Sequence, residues 1–330
     1  MSIAQSMAKL NSFIEGKENG TVFLDLGSRY IKAITQEQNK NNIFFCQEST
    51  GNKIKDAINL LKTNRLSAYE ARIALKGPDT IIRYLPFPKM EKENLKESFA
   101  LEAGKHLPFP IESLYFDLFV LDENYSKTES LILLAAAKKE LIDPIIEDFE
   151  KEHITIGEIS LSGVALINLY LASRTAENNY ALIDIGNSSV SLNIFKNDTP
   201  SLSREIKTAG KDLIKKISSL RAIDLTQAEF SFIKGDNAQE LLDAGEDTFL
   251  SICEEARTSF DYFEMNTGEQ VQGVYLTGGF SLLNGLDKLM ASALGLETKP
   301  WQPWEKLNTK FPDDFMLPKT LFATTLGLML

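Results

Sequence analysis

Two stretches of the chain share one hydrophobic pattern. VFLDLGSRYIKAI, ending at Ile34, and ALIDIGNSSVSLNIF, ending at Phe195, each run through an apolar segment to Asp-x-Gly, turn on a short polar segment, and resume with alternating apolar and polar residues. That pattern predicts strand, tight turn and strand, once in each half of the chain. Gly27 and Gly186 lack a Cβ, so a ligand can come close to the backbone at each bend. Successive turn N–H groups can cradle an anion there. Asp25 and Asp184, which close the two apolar runs, are placed to hold a divalent cation through its water shell. Two such hairpins in the same strand context predict two related domains facing one phosphate chain.

The rest of the chain is patterned around them. Ahead of the first hairpin, Ile3, Met7, Leu10 and Ile14 recur at helical spacing, a short amphipathic helix suited to packing or to a membrane-surface or partner contact. NIFFCQE reads as a strand, and Lys55 to Thr63 as a helix. From about Arg72 to Thr155 the texture changes. ARIALKG and TIIRYLPFP read as strands, and MEKENLKESFALEAGKHL as a helix with Leu95, Phe99, Ala103 and Leu107 on one face, stopped by Pro108 and Pro110. Leu114, Phe116, Leu118 and Val120 alternate as in a strand, LILLAAA reads as a buried strand, and Leu141, Ile145 and Phe149 mark a further helix. This self-contained pattern predicts a small α+β insertion. ISLSGVALINLYLASR then reads as a helix leading back to the main sheet. After Phe195, TPSLSREIKTAGKDLIKKISSL predicts strand, turn and helix, and a charged, mostly helical stretch runs to about Gly268, with GEDTFLSICEEARTSFDYFE as a solvated helix face. VQGVYLTGGFSLLNGLDKLMASALGL predicts a strand, a turn at Gly278 and Gly279, and a helix with Leu283, Leu286, Met290 and Leu294 on its inner face. A strand entering a Gly-rich helix N-terminus suits an anion or nucleotide, because unpaired N–H groups and the helix dipole point at the ligand.

Composition narrows the function. A length of 330 residues allows about two domains, or one with an insertion. The 43% apolar and 25% charged content is that of a soluble globular protein. With 46 acidic against 35 basic residues, a net charge of −11 argues against nucleic acid as the partner. A bound polyphosphate would then depend on Mg²⁺ and backbone dipoles. Cys46 and Cys253, in unrelated contexts, fit a reduced cytosol better than a disulfide framework. No apolar run reaches the roughly 18 residues of a membrane span, and no signal-peptide pattern opens the chain. The two histidines, His106 and His153, lie apart without clustered Cys or Asp, so a metal site of that type is not expected. No Ser-His-Asp or reactive-Cys arrangement can be assembled.

Two Asp-x-Gly hairpins followed by LTGG resemble the actin-like ATPases, which include actin, hexokinase and FtsA. Within that superfamily the chain is most similar to the PilM family of type IV pilus assembly proteins. The similarity rests on IIRYLPFPKM, LEAGKHLPFPIESLYFDLFVL, LILLAAAKKELIDPII, SLSREIKTAGKDLI, YLTGGFSLLNGLDKLMASALGL and FATTLGLML. It implies an α/β fold of the actin-like ATPase type: two related domains around a nucleotide cleft, with an α+β subdomain inserted in the first. The expected parts are a tail or short helix at 1–21, a first domain at 22–71 and 156–179, the insertion at 72–155, and a second domain at 180–330. The resemblance implies ATP and Mg²⁺ as cofactors. Asp25, Gly27, Ser28, Arg29, Lys32, Asp184, Gly186, Asn187, Ser188, Ser189, Gly210, Glu229, Gly278, Gly279 and Phe280 would be the binding residues, with Asp25 and Asp184 holding the metal through water. Lys32 reads first as a solvent-facing strand residue and second as a phosphate ligand. Arg29 and Tyr30 stand where the family carries small hydroxyl residues, Ala209 precedes Gly210 where it has Gly-Gly, and Phe232 stands where it has Lys. These departures imply slow hydrolysis or none. The implied function is an ATP-binding scaffold of a pilus, or a related secretion or competence, assembly complex. It would be cytoplasmic, peripheral at the inner membrane, and would bind the N-terminal tail of a PilN-like membrane protein, with motor or platform components and self-association as further contacts. A sugar-kinase-type phosphotransferase and an FtsA-like filament protein are the alternatives; the first lacks a motif for its catalytic base.

Overall fold

The computed structural model describes residues 20–36, 42–66, 68–174, 178–235, 237–307, 309–312, 315 and 317–330. The helix expected at residues 3–14 lies outside them. The chain divides into two compact units, one running up to Leu169 and taking back residues 310–313 and 324–330, the other formed by residues 170–309 and 314–323.

The first unit opens with the expected hairpin, β1 (Gly20–Leu26) and β2 (Tyr30–Gln36), followed by β3 (Asn42–Glu48), α1 (Lys53–Thr63) and β4 (Ala68–Leu75). Next come β5 (Thr80–Pro88), α2 (Lys92–Glu102), β6 (Leu114–Asp122), β7 (Glu129–Lys138), α3 (Lys139–Lys151), β8 (Thr155–Leu161) and α4 (Ser162–Ser173). The main sheet has the order β3-β2-β1-β4-β8. β1 is antiparallel to β2 and parallel to β4, which is parallel to β8. One face of its central strand is wholly apolar: Val22, Leu24 and Leu26 share a core with Leu60 and Leu61 of α1 and with Ile142, Ile145 and Phe149 of α3. α3 therefore belongs to the core of the main sheet, and β4 runs to Leu75, past the boundary expected at residue 71. The part with its own sheet is shorter than residues 72–155. It comprises β5, β6 and β7, in the order β5-β7-β6 and antiparallel throughout. Leu95, Phe99, Ala103 and Leu107 share one core with Phe87, Leu114, Ile132, Leu134 and Ala136, so α2 covers one face of that sheet. The run expected to be helical from Ile159 starts as β8, because Ile159 to Leu161 continue the ladder on β4.

The second unit repeats the scheme with β9 (Tyr180–Ile185), β10 (Val190–Lys196), β11 (Thr199–Ile206), α5 (Gly210–Arg221), α6 (Leu225–Lys234), α7 (Ala238–Thr267), β12 (Gly273–Thr277), α8 (Leu286–Leu294), β13 (Glu297–Pro300) and α9 (Pro303–Lys306), and α10 (Ala323–Gly327) then belongs, from Thr324 on, to the first. Its sheet order, β11-β10-β9-β12-β13, is that of the first sheet strand for strand. In each, a three-stranded antiparallel meander continues through two parallel strands. α7 carries its acidic residues outward but buries Phe249, Ile252, Cys253, Ala256 and Phe263 at helical spacing, so the stretch expected as a solvated face also supplies core. Gly278-Gly279 leads into a 3-10 turn, Gly279–Leu282, and α8 starts only at Leu286. The helix-dipole argument made for LTGG therefore does not apply at that turn. Among the described residues, no helix is long and apolar enough to cross a membrane.

Candidate functional site

In the first hairpin, Asp25 and Lys32 are cross-strand partners. Lys32 Nζ lies 2.6 Å from Asp25 Oδ2, with the side chains only 12% and 9% exposed. Lys32 is thus not a solvent-facing strand residue. Removing one member of such a desolvated pair leaves an uncompensated charge, at a cost of about 3–5 kcal/mol. The ammonium lies against the bend, since a Cβ on Gly27 would stand 3.0 Å from Lys32 Nζ and 2.4 Å from the Tyr30 carbonyl oxygen. Cys46 faces Lys32 from β3. Burial pushes its thiol up to about 11, with Lys32 pulling down and Asp25 pushing up.

Ser28 and Arg29 form the turn. The Arg29 guanidinium pairs with the Glu48 carboxylate and lies 5.6 Å from the Tyr30 ring centre. The Arg29 carbonyl accepts the Ser49 N–H at 2.8 Å. Ser49 and Thr50 are in turn fixed by Asp56 of α1, which is buried and accepts from Ser49 Oγ, Thr50 N and Thr50 Oγ1 at 2.8 Å each. Burial by itself would raise the Asp56 carboxyl, but these three hydrogen bonds outweigh it and hold the group below the usual carboxylate range. This brace behind the turn was not foreseen. Its readable signal is a Ser-Thr pair just ahead of a helix that has Asp in its first turn.

In the second unit the expected residues come together at one end of the sheet. The Gly186 N–H donates to the Ser189 carbonyl at 3.2 Å, closing the bend. The first two N–H groups of α5 donate back to it, Gly210 to the Gly186 carbonyl at 3.0 Å and Lys211 to the Asn187 carbonyl at 2.9 Å. That helix N-terminus therefore anchors the hairpin rather than facing a ligand. Asp212 completes the start of α5 by accepting the Ala209 N–H at 3.2 Å. Asn187 is half-buried, Ser188 exposed and Ser189 buried. Thr277 pairs in register with Asp184, which carries the Gly-Gly turn to the hairpin. At Gly278, φ is +89°, and a Cβ would meet Asp184 Oδ1 at 2.5 Å and the Ile185 carbonyl oxygen at 2.6 Å. At Gly279 a Cβ would meet only Leu321, at 3.1 Å. Phe280, expected beside a nucleoside, is buried: its ring lies where a Cβ on Gly210 would be, at 2.1 Å, and its centre is 4.7 Å from that of Phe232. Phe280 is a brace joining the turn, α5 and α6. Glu229, half-buried on α6, lies one turn of helix before Phe232.

These donors accommodate Mg²⁺ unequally. Among the described residues, no three His, Cys, Asp or Glu side chains gather as a metal cluster. The Asp25 carboxylate is already matched by an ammonium, so it does not suit a divalent cation. Asp184, half-buried beside the Gly278 turn, has the single carboxylate that a hydrated, phosphate-bound cation needs.

The inserted sheet offers a second surface. Tyr84, Leu133 and Phe119 are in register across β5, β7 and β6, on the face opposite α2. One pair further along, Ala135 and Ile82 pack on the core of the main sheet, as do Ala137 and Tyr115. The face thus leaves the first core between the Ala135 row and the Leu133 row, and Phe119 ends up 50% exposed. β5 carries Pro86 and Pro88, which interrupt its N–H groups, whereas β6 has no proline and pairs only with β7 within the sheet.

Residues 24–330 match the family described as type IV pilus assembly protein PilM. The chain belongs to the PilM family. Among solved structures, the PilM-PilN type IV pilus biogenesis complex is similar with a TM-score of 0.80 at 23% identity, covering 93% of this chain and 97% of that one. The ethanolamine utilization protein EutJ from Carboxydothermus hydrogenoformans has a TM-score of 0.56 at 14% identity, covering 95% and 90%. MreB5 of Spiroplasma citri bound to ADP has a TM-score of 0.53 at 13% identity, covering 94% and 95%. The fold is that of the actin-like ATPases, and the span matched to PilM takes in the Gly27 bend, the inserted sheet, the second hairpin and the Gly-Gly turn.

Proposed function

We propose that this PilM-family protein is a nucleotide-binding scaffold of type IV pilus assembly, recruited to the inner membrane by the N-terminal cytoplasmic tail of a PilN-like protein. The observation that carries the reading is the family match over residues 24–330. The solved relative is a complex of PilM with PilN, which supports a partner of that kind. Phe119, half-exposed at the end of the row that runs through buried Leu133 to Tyr84, lies beside the proline-free edge of β6 and suits an extended tail, whose backbone could pair along that edge while an apolar side chain seats on Phe119. Ordering a flexible tail costs entropy, so an affinity of about micromolar is expected.

The nucleotide is proposed as ATP. Gly279, where a Cβ would meet only Leu321, leaves backbone open to a ligand, and Asp184 is the carboxylate for a hydrated Mg²⁺ on the phosphates. Asn187, Ser188 and Ser189 are the turn residues of the second hairpin proposed for phosphate contact. The MreB5 structure holds ADP in a protein of this fold, which supports a nucleotide here. ATP would act as a conformational ligand, through its differential affinity for two arrangements of the chain. Slow turnover or none is expected, because Arg29 is engaged by Glu48 and Phe232 is packed on Phe280. The test is calorimetry on the full chain with ATP and with a synthetic PilN-type tail. Saturable binding of both, with ATP binding weakened in Asp184→Ala and tail binding weakened in Phe119→Asp, is the expected result. ATP affinity unchanged in Asp184→Ala would overturn the nucleotide site, and tail binding unchanged in Phe119→Asp would overturn the docking face.

A further inference from the structure

The Gly-Gly turn of the second unit is lined with carbon. α6 packs on it through Phe232, whose ring centre lies 4.7 Å from that of Phe280, and both rings are buried. Leu321, half-buried, comes within 3.1 Å of where a Gly279 Cβ would stand. Leu282, which ends the 3-10 turn, is 45% exposed. The polar side chains of the turn and its supports are sealed or already used. Ser281 Oγ donates to the Gly278 carbonyl at 2.7 Å. Thr277 and Thr320 are buried, and Glu229 on α6 already has an interaction partner in the chain. Adenine and guanine are told apart by hydrogen bonds, since adenine carries a donor at its 6-position where guanine carries an acceptor. A site that sets a matching polar group against that edge can reject the wrong base by about 10⁴-fold, because its own group would be left unpaired. An apolar surface cannot strongly reject a ring of the same size.

We propose that the Gly279 turn seats the base of a nucleotide on Leu321 without reading its edge, so that the protein takes purine nucleoside triphosphates as a class, GTP as well as ATP. This rests on the nucleotide reading above and keeps its Mg²⁺ at Asp184. Phe232 and Leu321 set the breadth of the site, because neither offers a donor or an acceptor. The test is calorimetry on the full chain in Mg²⁺, with ATP and GTP titrated in turn into wild type and Leu321→Ala. Wild type should bind the two with affinities within about tenfold, the worth of one ordinary hydrogen bond. Leu321→Ala should weaken both by a common factor of at least about threefold, since it removes apolar contact and no base-specific bond. A wild-type preference for either base beyond about tenfold overturns the proposal. So does a folded Leu321→Ala that binds both as wild type does, or that loses one and keeps the other. The wild-type comparison needs no variant and decides by itself if Leu321→Ala does not fold. Binding of neither triphosphate by wild type removes the nucleotide reading and this proposal together, whereas tight binding of one alone removes only this proposal.

Discussion

At Gly278 a methyl group has no room. With φ at +89° and two oxygen atoms within 2.6 Å of any Cβ, Gly278→Ala combines backbone strain with a clash against Asp184 and Ile185. The strain by itself is worth about 1–3 kcal/mol. Gly295 has φ of +70° but nothing within 4 Å, so Gly295→Ala isolates the strain term. Thermal unfolding should show a clearly larger fall for Gly278→Ala than for Gly295→Ala. Equal falls would mean that the turn yields and the close approach to Asp184 is not a constraint. Asp56 gives a pH test with a definite sign. Its folded carboxyl is held below the ordinary range, so the stability it contributes is present above the unfolded value, about 3.9, and is lost as pH falls through the lower folded value. Urea unfolding of wild type and Asp56→Asn should therefore differ most near neutrality and converge in strong acid. A difference that stays constant into acid would place the effect elsewhere. Burial holds both Cys46 and Cys253 thiols up at about 11, so at pH 8 native protein should react slowly with a thiol reagent, and unfolded protein fast.

Among the elements, those with a strong local period were legible and those defined by a distant partner were not. The hairpins, α2 and β5 follow from alternation, an apolar stripe and proline stops, all local signals. The stripe of Leu141, Ile145 and Phe149 announces α3 as a helix but says nothing of which sheet receives it. The last three residues of β8, Ile159 to Leu161, were read as helix because they run straight into α4 with no loop between. Phe280 was assigned to a ligand because its neighbours are glycines, yet its ring rests on Gly210, seventy positions earlier in the numbering, which no local pattern reveals. Lys32 was misread for the same reason, since its partner is set by hairpin register and not by the polarity of its neighbours. In the inserted sheet, two residues of one row should behave oppositely. Leu133 is 3% exposed and Phe119 50% exposed, so Leu133→Asp should destabilise by several kcal/mol, about the cost of burying an unpaired charge, while Phe119→Asp should change stability by only about 0.5 kcal/mol. Circular dichroism melts of the two variants check this.

For the whole molecule, two units with the same strand order each carry an Asp-x-Gly hairpin, and one of them carries in addition a small sheet with a half-open apolar face. Such a chain suits a scaffold that senses nucleotide and holds a peptide. Steady-state phosphate release should stay below about 1 per second, the low end of ordinary enzyme turnover, and faster release would make it a working ATPase. The claim that most depends on the inserted sheet is docking of the membrane partner. The direct measurement is calorimetric titration of a synthetic N-terminal tail from a PilN-like protein into the full chain, wild type and Phe119→Asp side by side. The account predicts saturable binding at one tail per chain by wild type, weakened at least about tenfold in a variant that melts at the wild-type temperature. No saturable binding by wild type, or equal binding by both, would contradict it.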